Sequence, residues 1–319
     1  MKKEQNKIII GTHNGIFHCD EIVAIAIIKL LYQNITEIEI IRTRDVEILN
    51  SKCNMLIDIG GNKYDHHQKG GNGKRINGVS YASAGLIWRD FGTLLIEEMC
   101  KNYLNIVEVE EIFNKIDENI IQRVDMEDNG EGTLEHPFNF INTFLPLWYE
   151  ENMNYDNNFN EALNYTVGIF QHIINYNISE KLACKEIDNR IKNQKIGNIL
   201  ILPSQTIPWI EKVIDYNDIN PDDCIDFVVF KYPAGGYALQ CVPLSLSDKF
   251  SQRVKLPEIW AGETMNLPII SGIDSAILCH KGRFFARANE FADIIKMCEI
   301  ATNMNLKEKD IHSVKRRVK

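Results

Sequence analysis

The stretch KIIIGTHNGIFHCDEIVAIAIIKLLY, Lys7–Tyr32, joins the first strand signal of the chain to its first helix signal. The run III is typical of a buried strand, and DEIVAIAIIKLLY has the apolar spacing of a helix with acidic residues in its first turn. His13, His18, Asp20 and Glu21 lie at the junction of the two elements. A strand followed at once by such a helix favours an α/β fold. The polar residues predict either a loop that caps the helix or a set of metal ligands at the rim of the sheet.

The rest of the first 150 residues continues this alternation of strands and helices. EIEIIRTR and NMLIDIGG are typical of strands, and SAGLIWRDFGTLLIEEMC and VEEIFNKIDENIIQRVD are typical of long helices. Short apolar strands separated by amphipathic helices predict a parallel sheet flanked by helices. Because the ligands of such sheets bind beyond the carboxyl ends of the strands, we expect the residues after III and after LID to be neighbours in space.

The remainder of the chain predicts two further parts. Residues 151–195 are rich in asparagine yet helically patterned, which indicates a helical connector. Residues 196–319 predict a smaller α+β domain with a largely antiparallel sheet. Its expected strands are NILILP, DFVVFKYP, GYALQCVPL and SAILCHKGRFFARA, and its expected helix is EFADIIKMCEIA. The expected organisation is therefore 1–150, 151–195 and 196–319.

The composition of the chain limits the classes of protein to which it can belong. Of its 319 residues, 45% are hydrophobic and 25% are charged, which is ordinary for a soluble globular protein. The net charge of −9 argues against a protein that coats duplex nucleic acid through a basic face, and leaves open a cleft for a short strand or a nucleotide. No apolar run approaches the ~20 residues of a membrane span. Eight scattered cysteines without a CxxC pair are typical of a reducing compartment. We expect a cytoplasmic protein that does not bind membranes, and the sequence leaves its oligomeric state open.

Four clusters of polar residues occur along the chain, and each cluster taken alone can be explained by the preference of such residues for turns and helix caps. They are His13, His18 and Asp20 with Glu21 adjacent; Asp58; Asp65, His66 and His67; and Asp125 with Asp128. The first two follow predicted parallel strands and the third comes soon after, so we expect them to converge. Mixed His and Asp ligands suit Mn²⁺, or Mg²⁺ with more waters, and the lack of cysteine disfavours structural zinc. The candidates outnumber the ligands of one ion and predict two divalent ions about 3.5–4 Å apart.

The run YDHHQ, which contains Asp65, His66 and His67, gives the chain a specific resemblance to a known family. Further similar runs are GTHNGIFHCDE, IIRTRD, DIGG, SAGLIWRDFG, VDMEDNG, QCVPLS and LPEIWAG, which together extend over nearly the whole chain. The chain resembles the DHH phosphoesterase superfamily and, within it, the MYG1 family, whose eukaryotic members are described as 3′→5′ exonucleases acting on RNA. The resemblance implies a DHH-type N-terminal domain, a DHHA1-like C-terminal domain and a metal-filled cleft between them.

The resemblance and the chemistry of such sites imply a role for each candidate ligand. Asp58 would bridge both ions, His13 and His18 would complete the shell of one ion, and Asp20, His66 and either Asp125 or Asp128 would complete that of the other. The ions would activate a water for in-line attack on phosphorus. His67 would face the phosphate, where it stabilises developing charge or protonates the leaving oxygen. Glu21 would belong to the first helical turn or would support the ligands from outside.

Substrate-binding residues are expected in two places. Ser83 and Gly85, in YASAG, lie at a predicted helix start, where backbone N–H groups either hold a phosphate or simply cap the helix. MYG1-like proteins usually carry a GFIGGNK-type run near the C-terminus, where this chain has KGRFFARANE, with Phe and Ala in place of the paired glycines. His280, Arg283 and Arg287 would either bind the substrate there or form a solvated strand face. The four tryptophans are expected in the core.

These expectations lead to one preferred function and two alternatives. The preferred function is a metal-dependent phosphodiesterase or 3′→5′ exonuclease that acts on RNA or short oligonucleotides. One alternative keeps this chemistry for a small nucleotide, a cyclic dinucleotide or pyrophosphate. The other is a catalytically silent metal-binding or interaction protein that keeps the fold. The full set of candidate ligands argues against that reading, and the altered KGRFFARANE run argues for it.

Overall fold

A computed structural model of the chain describes residues 7–132 and 134–317. The contacts divide the chain into two compact units, residues up to 178 and residues from 179 onward. The boundary falls within a long helix, Tyr155–Gln194, which occupies most of the region predicted as a helical connector. Each unit has a sheet of its own.

The first unit is built on the parallel sheet that the sequence predicts. Its strands are β1 (Ile8–Thr12), β2 (Ile38–Arg42) and β3 (Met55–Leu56), in the order β2-β1-β3 with both pairings parallel. Gly11 of β1 pairs with Leu56 of β3. The residues that follow these two strands therefore leave the sheet at the same edge, as expected.

The helices of the first unit place the site on a buried frame. They are α1 (Cys19–Tyr32), α2 (Val46–Lys52), α3 (Ser83–Met99), α4 (Val109–Ile116), α5 (Gln122–Asp128) and the first part of α6 (Tyr155–Gln194), with a 3₁₀ helix at Asn139–Phe144. Every residue from Ile22 to Ile28 has no exposed surface, so α1 is buried on all sides rather than along one stripe. The start of α1 is therefore fixed by core packing.

The long helix predicted for VEEIFNKIDENIIQRVD is present as one continuous helical stretch, but a π-helical turn at Asp117–Ile121, which the sequence did not predict, lies between α4 and α5. A π turn adds one residue to the helical repeat and so rotates the side chains that follow it. In this chain the turn begins at Asp117, whose carboxylate pairs with a buried arginine far away in the sequence. A local apolar pattern carries no signal for such a contact.

The second unit has the largely antiparallel sheet that the sequence predicts. Its strands are β4 (Lys195–Ile196), β5 (Ile199–Leu202), β6 (Phe227–Lys231), β7 (Tyr237–Cys241), β8 (Ala276–Cys279) and β9 (Phe285–Ala288), in the order β4-β5-β6-β7-β9-β8. Only the β5–β6 pairing is parallel. The helices are α7 (Ile210–Ile219), α8 (Leu267–Ser271) and α9 (Phe291–Arg317), with a 3₁₀ turn at Glu258–Trp260.

Two sequence predictions for individual segments are wrong. SAILCHKGRFFARA is a hairpin rather than one strand, because the chain reverses between β8 and β9 with Arg283 in the left-handed region at φ 62°. The core prediction holds for Trp88, Trp209 and Trp260, but Trp148 is 86% exposed. Trp148 lies between the 3₁₀ helix and α6, where neither a helix nor a strand buries it.

No helix of the described chain is long and apolar enough to cross a membrane.

Candidate metal centre

The loop between β1 and α1 carries the first two histidines. The chain turns at Gly15, with φ 83°, and this brings buried His13 and exposed His18 to the same edge of the sheet. Both carboxylate oxygens of Glu21 accept the His18 N–H, at 2.9 and 2.8 Å, which caps the start of α1. Glu21 also lies 3.2 Å from His13 Nε2. Glu21 is thus part of the first helical turn, as expected, and part of the cluster as well.

Asp58 lies at the centre of the cluster in an unusual backbone conformation. It follows β3 with φ 59°, a left-handed conformation that costs energy for a residue with a Cβ and that Asp tolerates better than most. The loop closes when the Asp58 N–H donates to the Tyr64 carbonyl at 2.9 Å. The side chain is buried, with Oδ2 3.2 Å from His13 Nε2 and Oδ1 3.4 Å from His66 Nε2.

The three residues of the Asp65-His66-His67 trio differ in their contacts and in their exposure. The Asp65 carboxylate accepts the N–H of Gly61 at 2.6 Å and that of His67 at 3.0 Å, and lies 2.8 Å from His67 Nδ1. Asp65 therefore fixes the turn and the ring of His67. His66 is buried, with Nε2 3.0 Å from Asp128 Oδ2. The His67 side chain is 60% exposed, so it is accessible to a substrate.

The first turn of α3 donates to the aspartates of the cluster. The Ser83 N–H donates to Asp20 Oδ2 at 3.2 Å, and the Ser83 hydroxyl donates to Asp58 Oδ1 at 2.9 Å. The Gly85 N–H donates to Asp125 Oδ1 at 2.9 Å. A helix N-terminus favours negative charge, and here that charge comes from side chains of the protein. The phosphate-binding role of Ser83 and Gly85 stays a prediction.

Three groups of side chains could each hold a cation, with ligand atoms within 4.8 Å of one another. They are His13, His18, Glu21 and Asp58; Asp58, His66 and His67; and His18, Asp20 and Asp128. Asp58 belongs to two groups, which is the position expected of a bridging carboxylate. Among the described residues, Asp128 is in a group and Asp125 is in none.

The electrostatics of the cluster fit a divalent cation. Asp20 Oδ1 and Asp58 Oδ2 are buried without a hydrogen-bond donor among the described residues, a costly state for a carboxylate oxygen. Burial, aided by the charges of Asp58 and Asp128, raises the pKa of Asp20 well above its usual value. Burial alone would lower the pKa of His13, but the adjoining carboxylates of Asp58 and Glu21, each 3.2 Å from its Nε2, raise that pKa to about 10. The cluster thus stabilises positive charge, and its nitrogen and oxygen ligands suit Mn²⁺ or Mg²⁺.

The remaining candidates lie on the β8–β9 hairpin of the second unit. His280 Nδ1 accepts the Gly282 N–H at 3.0 Å, and Arg283 Nε donates to the Leu256 carbonyl at 2.6 Å. The Arg287 guanidinium lies 3.9 Å from the centre of the Tyr232 ring. These contacts orient the three side chains, and their role in substrate binding stays a prediction.

Ala286, one of the two residues that the resemblance to MYG1-like proteins aligns with the paired glycines, is fully buried in the core of the second unit. Its neighbour Phe285 is half-buried and packs against the other core cluster of that unit. Both side chains therefore pack within the unit.

Asn129 and Arg75 contact candidate ligands in the structure, but nothing in the sequence indicates these contacts. Asn129 Oδ1 lies 3.2 Å from His66 Nδ1 and so orients a candidate ligand, but the run EDNG reads as an ordinary turn. Arg75 lies in a glycine-rich loop, and its partners are distant in the sequence. Only the folded chain brings these groups together.

Comparison with known proteins assigns the chain to a family. The model of a family described as Uncharacterised protein family (UPF0160), the MYG1 family, matches residues 9–302. A protein named MYG1 exonuclease from Mus musculus is 32% identical over 308 residues, covering 86% of this chain and 80% of that protein. The Homo sapiens MYG1 exonuclease is 29% identical over 320 residues, covering 89% and 84%. A MYG1 protein from Chlamydia trachomatis is 27% identical, covering 94% and 96%. No solved structure matches the chain. The chain belongs to the MYG1 family.

Proposed function

We propose that this chain is a metal-dependent phosphoesterase that acts as a 3′→5′ exonuclease on RNA or short oligonucleotides. The observation that carries the proposal is Asp58, a buried carboxylate shared by two groups of potential ligands at the carboxyl edge of a parallel sheet. The name MYG1 exonuclease, given to mammalian relatives, supports a nuclease activity. The DHH-type and DHHA1-like assignment of the two parts is included in the proposal.

The proposed ligands follow from the distances around the two buried histidines. His13, with Asp58 and His18, would hold one ion, and Glu21 is close enough to join them. The other ion would be held by Asp58, His66, Asp20 and Asp128, because His66 Nε2 lies 3.4, 3.7 and 3.0 Å from oxygens of the three aspartates. Mn²⁺ is favoured by the histidines, and Mg²⁺ would also bind. Two bound ions would lower the pKa of a water and neutralise charge on the phosphate.

His67 is the side chain that acts on the substrate in this proposal. Its Nδ1 is held by Asp65, so the imidazole keeps a fixed orientation. An exposed histidine held by a carboxylate is suited to donate a proton or a hydrogen bond. We assign to His67 the stabilisation of charge on the phosphate or the protonation of the leaving oxygen.

Hydrolysis of a substrate panel tests the function. The protein is incubated with Mn²⁺ and with end-labelled RNA and DNA oligonucleotides, a cyclic dinucleotide, small nucleotides and pyrophosphate. Release of mononucleotides from the 3′ end of RNA is the expected result. Preferential cleavage of pyrophosphate or a small nucleotide would replace the exonuclease by the small-substrate alternative. No cleavage of any substrate would favour the silent metal-binding protein.

Substitution of either of two arginines in the second unit should weaken substrate binding without changing the metal content. Arg283→Ala and Arg287→Ala are each expected to lower kcat/KM for oligonucleotides by about 10- to 100-fold, since a charge-assisted bond to phosphate contributes ~1.5–3 kcal/mol. Metal content should be unchanged, and the loss should be smaller for a nitrophenyl phosphodiester. The matched control is Arg190→Ala, which removes an arginine that pairs with Glu186. Equal losses on both substrates would indicate misfolding or a role in the chemistry.

A further inference from the structure

Arg75 is a buried arginine outside the three ligand groups. Its side chain is 7% exposed and lies in the loop between the Asp65-His66-His67 trio and α3. Nε and Nη2 donate to the two oxygens of Asp117 at 2.9 and 2.7 Å, and Nη1 donates to Asp125 Oδ2 at 2.7 Å. The ring of Tyr81 lies 4.3 Å from the guanidinium. The guanidinium therefore links this loop to the π turn and to α5 with a fixed geometry.

Asp125 uses both of its oxygens within this network. Oδ2 accepts from Arg75, and Oδ1 accepts the Gly85 N–H in the first turn of α3. The packing is tight, because a Cβ added to Gly85 would overlap Asp125 Oδ2 and would lie 2.8 Å from Arg75 Nη2. Glycine at this position thus lets the carboxylate approach the helix backbone.

The turn held in this way is the turn that orients two proposed metal ligands. Ser83 lies two residues before Gly85, and it donates its N–H to Asp20 and its hydroxyl to Asp58. Contacts therefore run continuously from Arg75 through Asp125 and the start of α3 to both aspartates. A shift of this turn would move the Ser83 donors and release those carboxylates from their orientation.

We propose that Arg75 and Asp125 are positioning residues for the metal centre, which hold the first turn of α3 so that Ser83 orients Asp20 and Asp58. This inference rests on the proposed metal site. It gives Asp125 a role other than that of a ligand and leaves Asp128 as the ligand of that pair. It also gives the π turn a purpose, because that turn carries the Asp117 carboxylate that holds the other side of the guanidinium.

Metal affinity in the absence of substrate tests the inference. Arg75→Lys and Asp125→Asn are each expected to weaken Mn²⁺ binding about 10- to 100-fold, the range typical of groups that orient metal ligands. Free Mn²⁺ is followed by electron paramagnetic resonance during a titration. The number of ions bound at saturation should be unchanged, and the double variant should bind no more weakly than the weaker single variant, because both residues act through one contact path.

The controls separate positioning from folding. Arg89→Lys is the matched control, because Arg89 also lies over the Tyr81 ring but pairs with Asp90 on the surface. Its Mn²⁺ affinity should equal that of the unmutated protein. Thermal unfolding in EDTA checks the fold, and Asp125→Asn, which keeps the shape of the side chain, carries the test if Arg75→Lys is unfolded.

Three results would overturn the inference. One is an affinity within twofold of the unmutated protein in a folded variant. Another is the loss of one ion at saturation in Asp125→Asn, which would make Asp125 a ligand. The third is an unmutated protein that binds no Mn²⁺, which would overturn the metal centre as well. Failure to hydrolyse any substrate would leave the titration readable, so the two proposals can fail separately.

Discussion

Asp58→Ala is expected to abolish both metal binding and hydrolysis. Asp58 is buried, lies within 3.4 Å of both His13 and His66 and belongs to two ligand groups. Without its carboxylate, two cations in one cluster would lose the anion that shields them from each other, so neither site should keep its ion. The measurement is metal content by elemental analysis after gel filtration, together with the rate of oligonucleotide cleavage.

The backbone at Asp58 requires a second variant. Because φ is 59°, alanine would be strained, whereas asparagine tolerates this conformation and keeps the shape of the side chain. Asp58→Asn should fold like the unmutated protein in EDTA and should still lose the metal. Asp90→Asn is the matched control, since Asp90 pairs with Lys63 outside the cluster and should keep metal and activity. Normal metal content with intact activity in Asp58→Asn would remove Asp58 from the centre of the site.

His67→Ala is expected to keep its metal content and to lose turnover. The side chain is 60% exposed and is held by Asp65, so its removal should leave the fold unchanged. General acid catalysis by a positioned side chain contributes about 10²- to 10⁴-fold, and kcat for oligonucleotides should fall by that factor. The measurement is kcat at saturating Mn²⁺, with metal content determined on the same sample.

The choice of leaving group separates the two roles proposed for His67. A nitrophenolate leaves without protonation, so a general acid should matter much less for a nitrophenyl phosphodiester than for an oligonucleotide. Equal losses on both substrates would instead indicate stabilisation of charge on the phosphate. His172→Ala, which removes an exposed histidine on α6, is the control. A His67→Ala protein that purifies without metal would make His67 a ligand and contradict the assignment.

The sequence predicts those parts of the site that depend on local signals. The apolar run before His13 and the run before Asp58 both read as parallel strands, and parallel strands bring their carboxyl ends to one edge. The convergence of the two residues follows from that pattern alone. The strands of the second unit are also indicated by local signals, since each segment is short and bounded by turn residues, whereas the pairing of β7 with β9 joins segments that are distant in the sequence.

The remaining features depend on contacts that are distant in the sequence. Asp125 and Asp128 lie in one helix, and what distinguishes them is a partner 50 residues away, Arg75, which occupies Asp125. Asp117, the first residue of the π turn, accepts a hydrogen bond from the same arginine. The reversal between β8 and β9 places Arg283 in a left-handed conformation that non-glycine residues seldom adopt. The sequence therefore gives no sign of a turn at this residue, and the apolar pattern predicts one continuous strand.

Anomalous diffraction at the manganese absorption edge, from crystals grown with Mn²⁺, would show directly whether Asp58 bridges two metal ions. We expect two anomalous peaks about 3.5–4 Å apart, with Asp58 bound to both. His13 should contact one ion, and His66 and Asp128 should contact the other. A single peak, peaks that do not contact Asp58, or the absence of any peak in this cluster would contradict the two-metal centre.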